Sequence, residues 1–253
     1  MRAAEEPAER EELLRRHADA ADVARANTVE AELAVLEAAT DDAPLVINRS
    51  VHEILRLADG DGNLYATYYQ QVDAGLRTPD DSYWDRMRWY ADQALFPGYQ
   101  KDIRFGVLSP AGVGLSYYGA WAMVLKRDMV EHRSSVFERN TASWVADQHI
   151  DRIGDLRDLP LGRRGTWGDR SRLATVKLVR KLMPAMAPED ISALLVQDPA
   201  TPDAEFIEVH VWGPITRRAI ESVTLAHPGV SRIDRALNDA AAEKLRSAGV
   251  KVV

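Results

Sequence analysis

Seven residues, Phe206-Ile-Glu-Val-His-Val-Trp212, constrain the fold more than any other segment. β-Branched and aromatic side chains crowd this run and Gly213-Pro214 stops it, the signature of a strand. Side chains alternate along a strand. Phe206, Glu208, His210 and Trp212 therefore share one face, and Ile207, Val209 and Val211 share the other. The second face is core. The first lines up a carboxylate, an imidazole and an indole, and a carboxylate in such company is costly to bury without a partner. Pattern alone also fits an edge strand whose polar face meets water and leaves Glu208 solvated.

The other strand candidates are short and scattered: Leu45–Ile47, Ile103–Leu108, Ala120–Leu125, Ser134–Phe137 and Val223–Leu225. Residues 5–40 contain no glycine and are rich in Ala, Glu, Leu and Arg, which predicts helix. Asn27-Thr28 breaks that stretch, with Thr28 as the expected cap of a second helix. Ser50 caps a helix through Val51, Ile54, Leu55 and Leu57 that stops at Asp59-Gly-Asp-Gly62. Residues 64–95 are aromatic-rich and partly helical, 170–183 predict a basic helix, and 231–248 a last one. A strand set without regular βαβ alternation is an α+β pattern. The expected organisation is a helical N-terminal extension over 1–43 and one α+β domain over 44–253. The extension packs on that domain or on a protein partner.

Several chemistries are excluded. The chain has no cysteine, so it holds no disulfide, no thiolate metal site and no cysteine nucleophile. Its N-terminus is polar and acidic, without an apolar leader segment, and no apolar run approaches a membrane span. A cytoplasmic protein with no membrane partner is expected. There is no phosphate-binding loop, no dinucleotide fingerprint and no Gly-x-Ser-x-Gly elbow. Histidines stand at 17, 52, 132, 149, 210 and 227, with no pair at ligand spacing, so no metal site is expected. Charge is unevenly spread. Residues 1–45 carry twelve acids against five bases, and residues 151–181 nine bases against four acids. Arg163, Arg164, Arg170, Arg172, Lys177, Arg180 and Lys181 thus form either a solvated helix face or a surface for an anion.

The segment Glu208-Val-His-Val-Trp-Gly-Pro-Ile-Thr-Arg-Arg-Ala-Ile-Glu-Ser-Val223 resembles the catalytic-glutamate strand of the ADP-ribosyltransferase superfamily. In poly(ADP-ribose) polymerases and related bacterial toxins a glutamate opens a strand, a bend and short element follow, and then a further strand. Leu45-Val-Ile-Asn-Arg-Ser-Val-His-Glu-Ile-Leu55 is similar to the family's first motif, a strand ending in His or Arg plus a small hydroxyl residue. The middle segment, Phe105-Gly-Val-Leu-Ser109 with Tyr117-Tyr-Gly-Ala-Trp-Ala-Met-Val-Leu-Lys126, looks like the Tyr-Gly before an apolar strand ending in Leu-Lys of the family's bacterial toxins. The likeness spans roughly residues 45–225 and rests on the order of the three segments.

The resemblance implies a split β-sheet core and NAD as substrate. Glu208 would stabilise an oxocarbenium-like transition state as nicotinamide leaves, with His210 helping to keep it charged. Asn48 or Arg49 would bond a ribose or phosphate beside Ser50, and Tyr117 or Tyr118 would stack on nicotinamide. The acceptor, whether protein, nucleic acid or small molecule, is left open, and a bacterial toxin or effector is the expected setting. The sequence departs from the family pattern in places. Asn48 stands where many relatives have His, Arg49 lies one position late, there is no Ser-Thr-Ser motif, and Phe206 occupies a place some relatives give to Gln or Glu. The alternative is a catalytically inactive relative acting as a binding module, with the N-terminal helices as its partner surface.

Overall fold

A computed structural model of the protein describes residues 6–60, 62, 65–73, 83–148, 159–225 and 232–253. Asp61, His149 and His227 lie outside the described residues. The chain opens with helices α1 (Pro7–Ala26) and α2 (Glu30–Asp42), then strand β1 (Leu45–Arg49) and helix α3 (Val51–Ala58). Helices α4 (Tyr68–Asp73) and α5 (Tyr83–Leu95) precede β2 (Ile103–Leu108) and β3 (Trp121–Leu125). The short helix α6 (Arg127–Val130), β4 (Ser134–Phe137) and α7 (Thr141–Asp147) follow. Next come β5 (Arg164–Thr166), α8 (Arg170–Leu178), α9 (Pro188–Ala193), β6 (Val196–Gln197), β7 (Glu205–Phe206) and β8 (Glu208–Trp212). The chain closes with β9 (Ile220–Leu225), α10 (Arg232–Ser247) and β10 (Lys251–Val252).

Helices and strands therefore mix around one large sheet. Eight strands run in the order β10-β9-β3-β1-β2-β8-β4-β5, and β6 and β7 form a separate two-stranded ladder. Only β10 on β9 is parallel among the described pairs. Where the sequence suggested a split sheet, the strands join into one. The join is brief, because β1 meets β2 only at Leu45↔Leu108 and Val46↔Val107. Beyond Val46, β1 follows β3 as far as Arg49↔Trp121, while β2 follows β8 as far as Ile103↔Trp212. The two halves diverge there and leave a gap between them.

The seven-residue run that anchors the sequence reading breaks at Ile207 into β7 and β8. β8 is an interior strand, not an edge, since β2 and β4 flank it. Both of its faces are covered, with Glu208, Val209, His210 and Val211 all buried and Trp212 alone exposed. The solvated alternative for Glu208 is thereby overturned.

The N-terminal helices belong to the main core. Leu13, Ala20, Ala24, Leu33 and Leu36 share one buried cluster with Leu173 and Leu178 of α8 and with Ile207, Val209 and Val211. Thr28 is not the cap of α2. Its φ of 55° is left-handed, its hydroxyl donates to the Asn27 carbonyl at 2.7 Å, and Val29 takes the cap position. Charge complementarity seats these helices. Arg164 pairs with Glu9 at 2.8 Å, Arg16 with Glu138 at 2.8 Å, and Arg170 with Asp41 at 3.4 Å. Arg163 reaches Glu138, Arg172 reaches Asp169 at 2.6 Å, and Lys177 bonds Glu205 at 2.9 Å and the Phe206 carbonyl at 2.8 Å. Arg164 and Arg170 of the basic run thus serve to dock these helices, while Arg180 and Lys181 stay exposed. Among the described residues no helix is long and apolar enough to cross a membrane.

Leu36, fully buried in this shared core, gives a test. Leu36→Ala is expected to cost about 2–5 kcal/mol in urea unfolding. A loss below about 1 kcal/mol would make the helices a peripheral attachment.

Candidate functional site

The gap between β1 and β2 is a cavity of about 400 Å³. Its walls include Asn48 and Arg49 from the end of β1, Phe105 and Gly106 from β2, Tyr117 and Tyr118 from the turn before β3, Arg88 from α5, and Glu208 at the start of β8. Of the seven residues the sequence singles out, five border this space: Asn48, Arg49, Tyr117, Tyr118 and Glu208. His210 lies behind Glu208. Ser50 lies outside and caps α3, its hydroxyl accepting the Glu53 amide at 3.4 Å.

Glu208 is the electrostatic centre. Its side chain is 3% exposed, yet both oxygens are satisfied. Arg88 Nη2 donates to Oε1 at 3.1 Å, and the Thr141 backbone N–H donates to Oε2 at 2.8 Å. His210 Nε2 stands 3.3 Å from Oε2. Burial pushes the Glu208 carboxyl up, but Arg88, His210 and Thr141 outweigh it and hold the group down to about 2. Two carboxylates, Glu208 and Asp92, raise Arg88 against its own partial burial. The guanidinium also lies 4.4 Å above the Phe105 ring and donates to Thr141 Oγ1 at 2.6 Å.

Burial lowers the pKa of His210 against the opposing pull of Glu208, and Phe96 and Phe105 box its ring edge-on at 4.8 and 5.4 Å. With Nε2–H directed at Glu208, Nδ1 is left to accept from the Ser135 hydroxyl at 3.5 Å. Ser135, His210 and Glu208 thus stand in the order of a hydrolase triad. Ser135 is buried and does not border the cavity, so the chain of bonds orients the carboxylate and offers no nucleophile.

Asn48, in the cavity wall, is tied to the backbone of the neighbouring turn. Its Oδ1 accepts the Leu115 amide at 2.7 Å, and Nδ2 donates to the carbonyls of Val113 at 3.0 Å and Gly119 at 3.2 Å. Both amide hydrogens and one oxygen lone pair are used in pinning the turn that carries Tyr117 and Tyr118. Backbone approach is close enough that a Cβ on Gly114 would strike Asn48 Oδ1, and one on Gly119 would strike the Arg49 backbone. Both glycines also have positive φ, 56° and 150°. Arg49 packs 4.4 Å over the Tyr65 ring and faces Glu53 at 3.6 Å. Tyr117 and Tyr118 meet edge-to-face at 5.2 Å with exposed rings. The Tyr118 hydroxyl reaches in to the Asn140 side chain, and burial raises its pKa.

Sequence reasoning missed Arg88, Asp92 and the Asn140-Thr141 helix start. Arg88 and Asp92 stand four apart on α5, a spacing that ordinarily marks a surface ion pair of small worth. The available signal was their setting among Trp84, Trp89 and Tyr90, which promises burial of one helix face. Among the described residues no group of His, Asp and Glu is placed to hold a metal ion. No protein-family model matches the chain, and no curated protein matches it.

Arg88→Met strands Glu208 and Asp92 without their counter-charge and is expected to cost about 3–5 kcal/mol in denaturant unfolding. Combining it with Glu208→Gln returns part of that loss, a coupling that a double-mutant cycle reads directly. Strict additivity would show that the pair is not an energetic unit. The depressed Glu208 carboxyl also fixes a sign with pH. Its stabilisation is present above about pH 4.5 and is lost as pH falls toward 2, a loss the Glu208→Gln variant lacks.

Proposed function

We propose that this protein is an NAD-dependent mono-ADP-ribosyltransferase, or an NAD glycohydrolase when water is the acceptor. One observation carries the reading. The end of β1, the Tyr117-Tyr118 turn and the first residue of β8 are far apart in the chain, and all border one cavity with an ionised Glu208 in its wall. These are the three segments whose order resembles the ADP-ribosyltransferase superfamily.

The chemistry follows from charge. The bond between nicotinamide nitrogen and ribose C1′ breaks, and both electrons leave with neutral nicotinamide. Positive charge develops on the ribose, and a fixed carboxylate in the cavity wall stabilises it. A hydroxyl of the acceptor or of water then bonds C1′ and releases a proton. Glu208 suits this role because its pairing keeps it ionised across the physiological range. A carboxylate offers about four acceptor positions, so the three donors already present leave room for a ribose hydroxyl. Tyr117 and Tyr118 supply aromatic faces at the mouth for the nicotinamide ring. Asn48, with both amide hydrogens spent on the turn, shapes this mouth and leaves Arg49 as the β1 residue for a ribose or phosphate.

A second reading is favoured by how heavily Glu208 is already bonded. A carboxylate that Arg88, Thr141 and His210 already hold fits a catalytically inactive relative that binds the dinucleotide, or a partner, without cleaving it. Incubation of the purified protein with NAD separates the two. Nicotinamide release by the wild type, lost by at least about 100-fold in Glu208→Gln, supports the enzyme. A thermal shift by NAD without release supports the binding module. No shift and no release would sink both the enzyme and a module that binds the dinucleotide.

A further inference from the structure

Arg88 faces two buried carboxylates, and only one of them borders the cavity. Asp92 lies one helical turn beyond Arg88 on α5 and is 1% exposed. Its Oδ2 accepts the Tyr69 hydroxyl at 2.8 Å. Among the described residues its Oδ1 has no hydrogen-bond partner, and it stands 3.9 Å from Arg88 Nη1. On the other side of the same guanidinium, Nη2 holds Glu208 at 3.1 Å. A buried carboxylate oxygen is rarely left unpartnered, and such an atom beside a candidate site calls for a role.

We infer that Asp92 is a proton-linked positioning residue, which divides Arg88 with Glu208 and sets how much negative potential Glu208 presents to the cavity. The inference rests on the ADP-ribosyltransferase reading for its catalytic consequence, and on the geometry of the three side chains for the linkage itself. The groups that act on Asp92 come from three elements: Arg88 on its own helix, Tyr69 on α4 and Glu208 on β8. Burial raises the Asp92 carboxyl, Arg88 and the Tyr69 hydroxyl oppose this, Glu208 adds to it, and the result is about 7. Protonated Asp92 leaves Arg88 to Glu208, and the guanidinium then cancels most of the carboxylate's field. Ionised Asp92 draws on Arg88 through Oδ1 and adds a second negative charge behind it. The cavity then stabilises a cation-like transition state better, so turnover rises as pH passes through about 7.

Stability moves the other way. A carboxyl whose folded pKa is raised stabilises the fold while protonated, and that contribution is lost as pH climbs from about 4 to about 7. The wild type should therefore lose stability relative to Asp92→Asn across this window and hold a constant difference above it.

The experiment runs wild type, Asp92→Asn and Tyr69→Phe from pH 5 to pH 9 in two measurements. Thermal unfolding without NAD reads the linkage, and nicotinamide release reads its consequence. The expected results are a stability gap of a few degrees that opens as pH rises toward 7, and a several-fold step in wild-type kcat. Asp92→Asn should have no step, and Tyr69→Phe should move it to higher pH, because the bond that favours ionised Asp92 is gone. A merely structural Asp92 would lower turnover equally at every pH. A stability gap that does not change with pH, or a step that survives unmoved in Asp92→Asn, overturns the inference. If the stability gap behaves as expected and no form releases nicotinamide, the enzymatic reading falls and the Asp92–Arg88–Glu208 linkage stands. If wild type releases nicotinamide and the stability gap is flat, the linkage falls and the enzymatic reading stands.

Discussion

A carboxylate buried at the start of an interior strand is the constraint around which this fold is arranged. Glu208 sits where β8 leaves the break at Ile207, flanked by β2 and β4. An unpaired charge there would cost several kcal/mol. Its neighbours are accordingly fixed by what they must donate. α5 has to dock so that Arg88 reaches Oε1, and α7 has to begin so that the Thr141 N–H reaches Oε2. Asn140 then serves twice, capping α7 through the amides of Ala142 and Ser143 and accepting from Arg88 Nη2 at 3.3 Å. Two helices distant in sequence are thus tied to one strand by polar bonds, and the apolar cluster of Phe96, Phe105, Phe137 and Trp144 grows around those ties.

The cavity itself comes from a failure of pairing. β1 and β2 stay together for two residue pairs and then separate. Separated strands expose backbone groups that need partners. On the β1 side the Asn48 side chain holds the neighbouring turn, binding three backbone groups of residues 113–119 with one amide. The turn folds back over the gap because Gly114 and Gly119 allow it, and it brings Tyr117 and Tyr118 to the mouth. A histidine ring at position 48 would offer one donor and one acceptor, too few to hold that turn in the same way.

How much of this was legible in the sequence follows from which interactions are local. Strand and helix signals depend on neighbours in the chain, and β1, β2, β3, β4 and α3 lie close to where Leu45–Ile47, Ile103–Leu108, Ala120–Leu125, Ser134–Phe137 and Ser50 placed them. Glu208 stood out because an acid among β-branched residues is locally odd. The pairing that gives Glu208 its charge state was not legible, because Arg88 lies 120 residues away. Thr28 failed as a cap for a subtler reason. The turn at Asn27 closes with left-handed backbone at Thr28, which carries its hydroxyl away from the amides at the start of α2. The docking role of Arg164 and Arg170 was not legible, because charge patterning in one segment does not show the opposite charge that Glu9 and Asp41 bring to it.

The arrangement around Arg88 carries a tension inherent in any site of this kind. A carboxylate that must stabilise a cation has to be ionised, and burial opposes ionisation. A nearby guanidinium restores the charge, but it also neutralises much of the field that the carboxylate would present. Solvent exposure would remove the need for the guanidinium and would weaken the field by screening. A second carboxylate on the far side of the cation, withdrawn from the cavity, resolves the tension differently. It leaves Glu208 ionised while returning net negative charge to the site, and it does so only when it is itself ionised. Asp92 holds that position, with its ionised form favoured by Tyr69 and opposed by its own burial. The unpartnered Oδ1 is then what a shared cation leaves behind. Arg88 satisfies Glu208 at hydrogen-bonding distance and Asp92 only at the range of a weak ion pair.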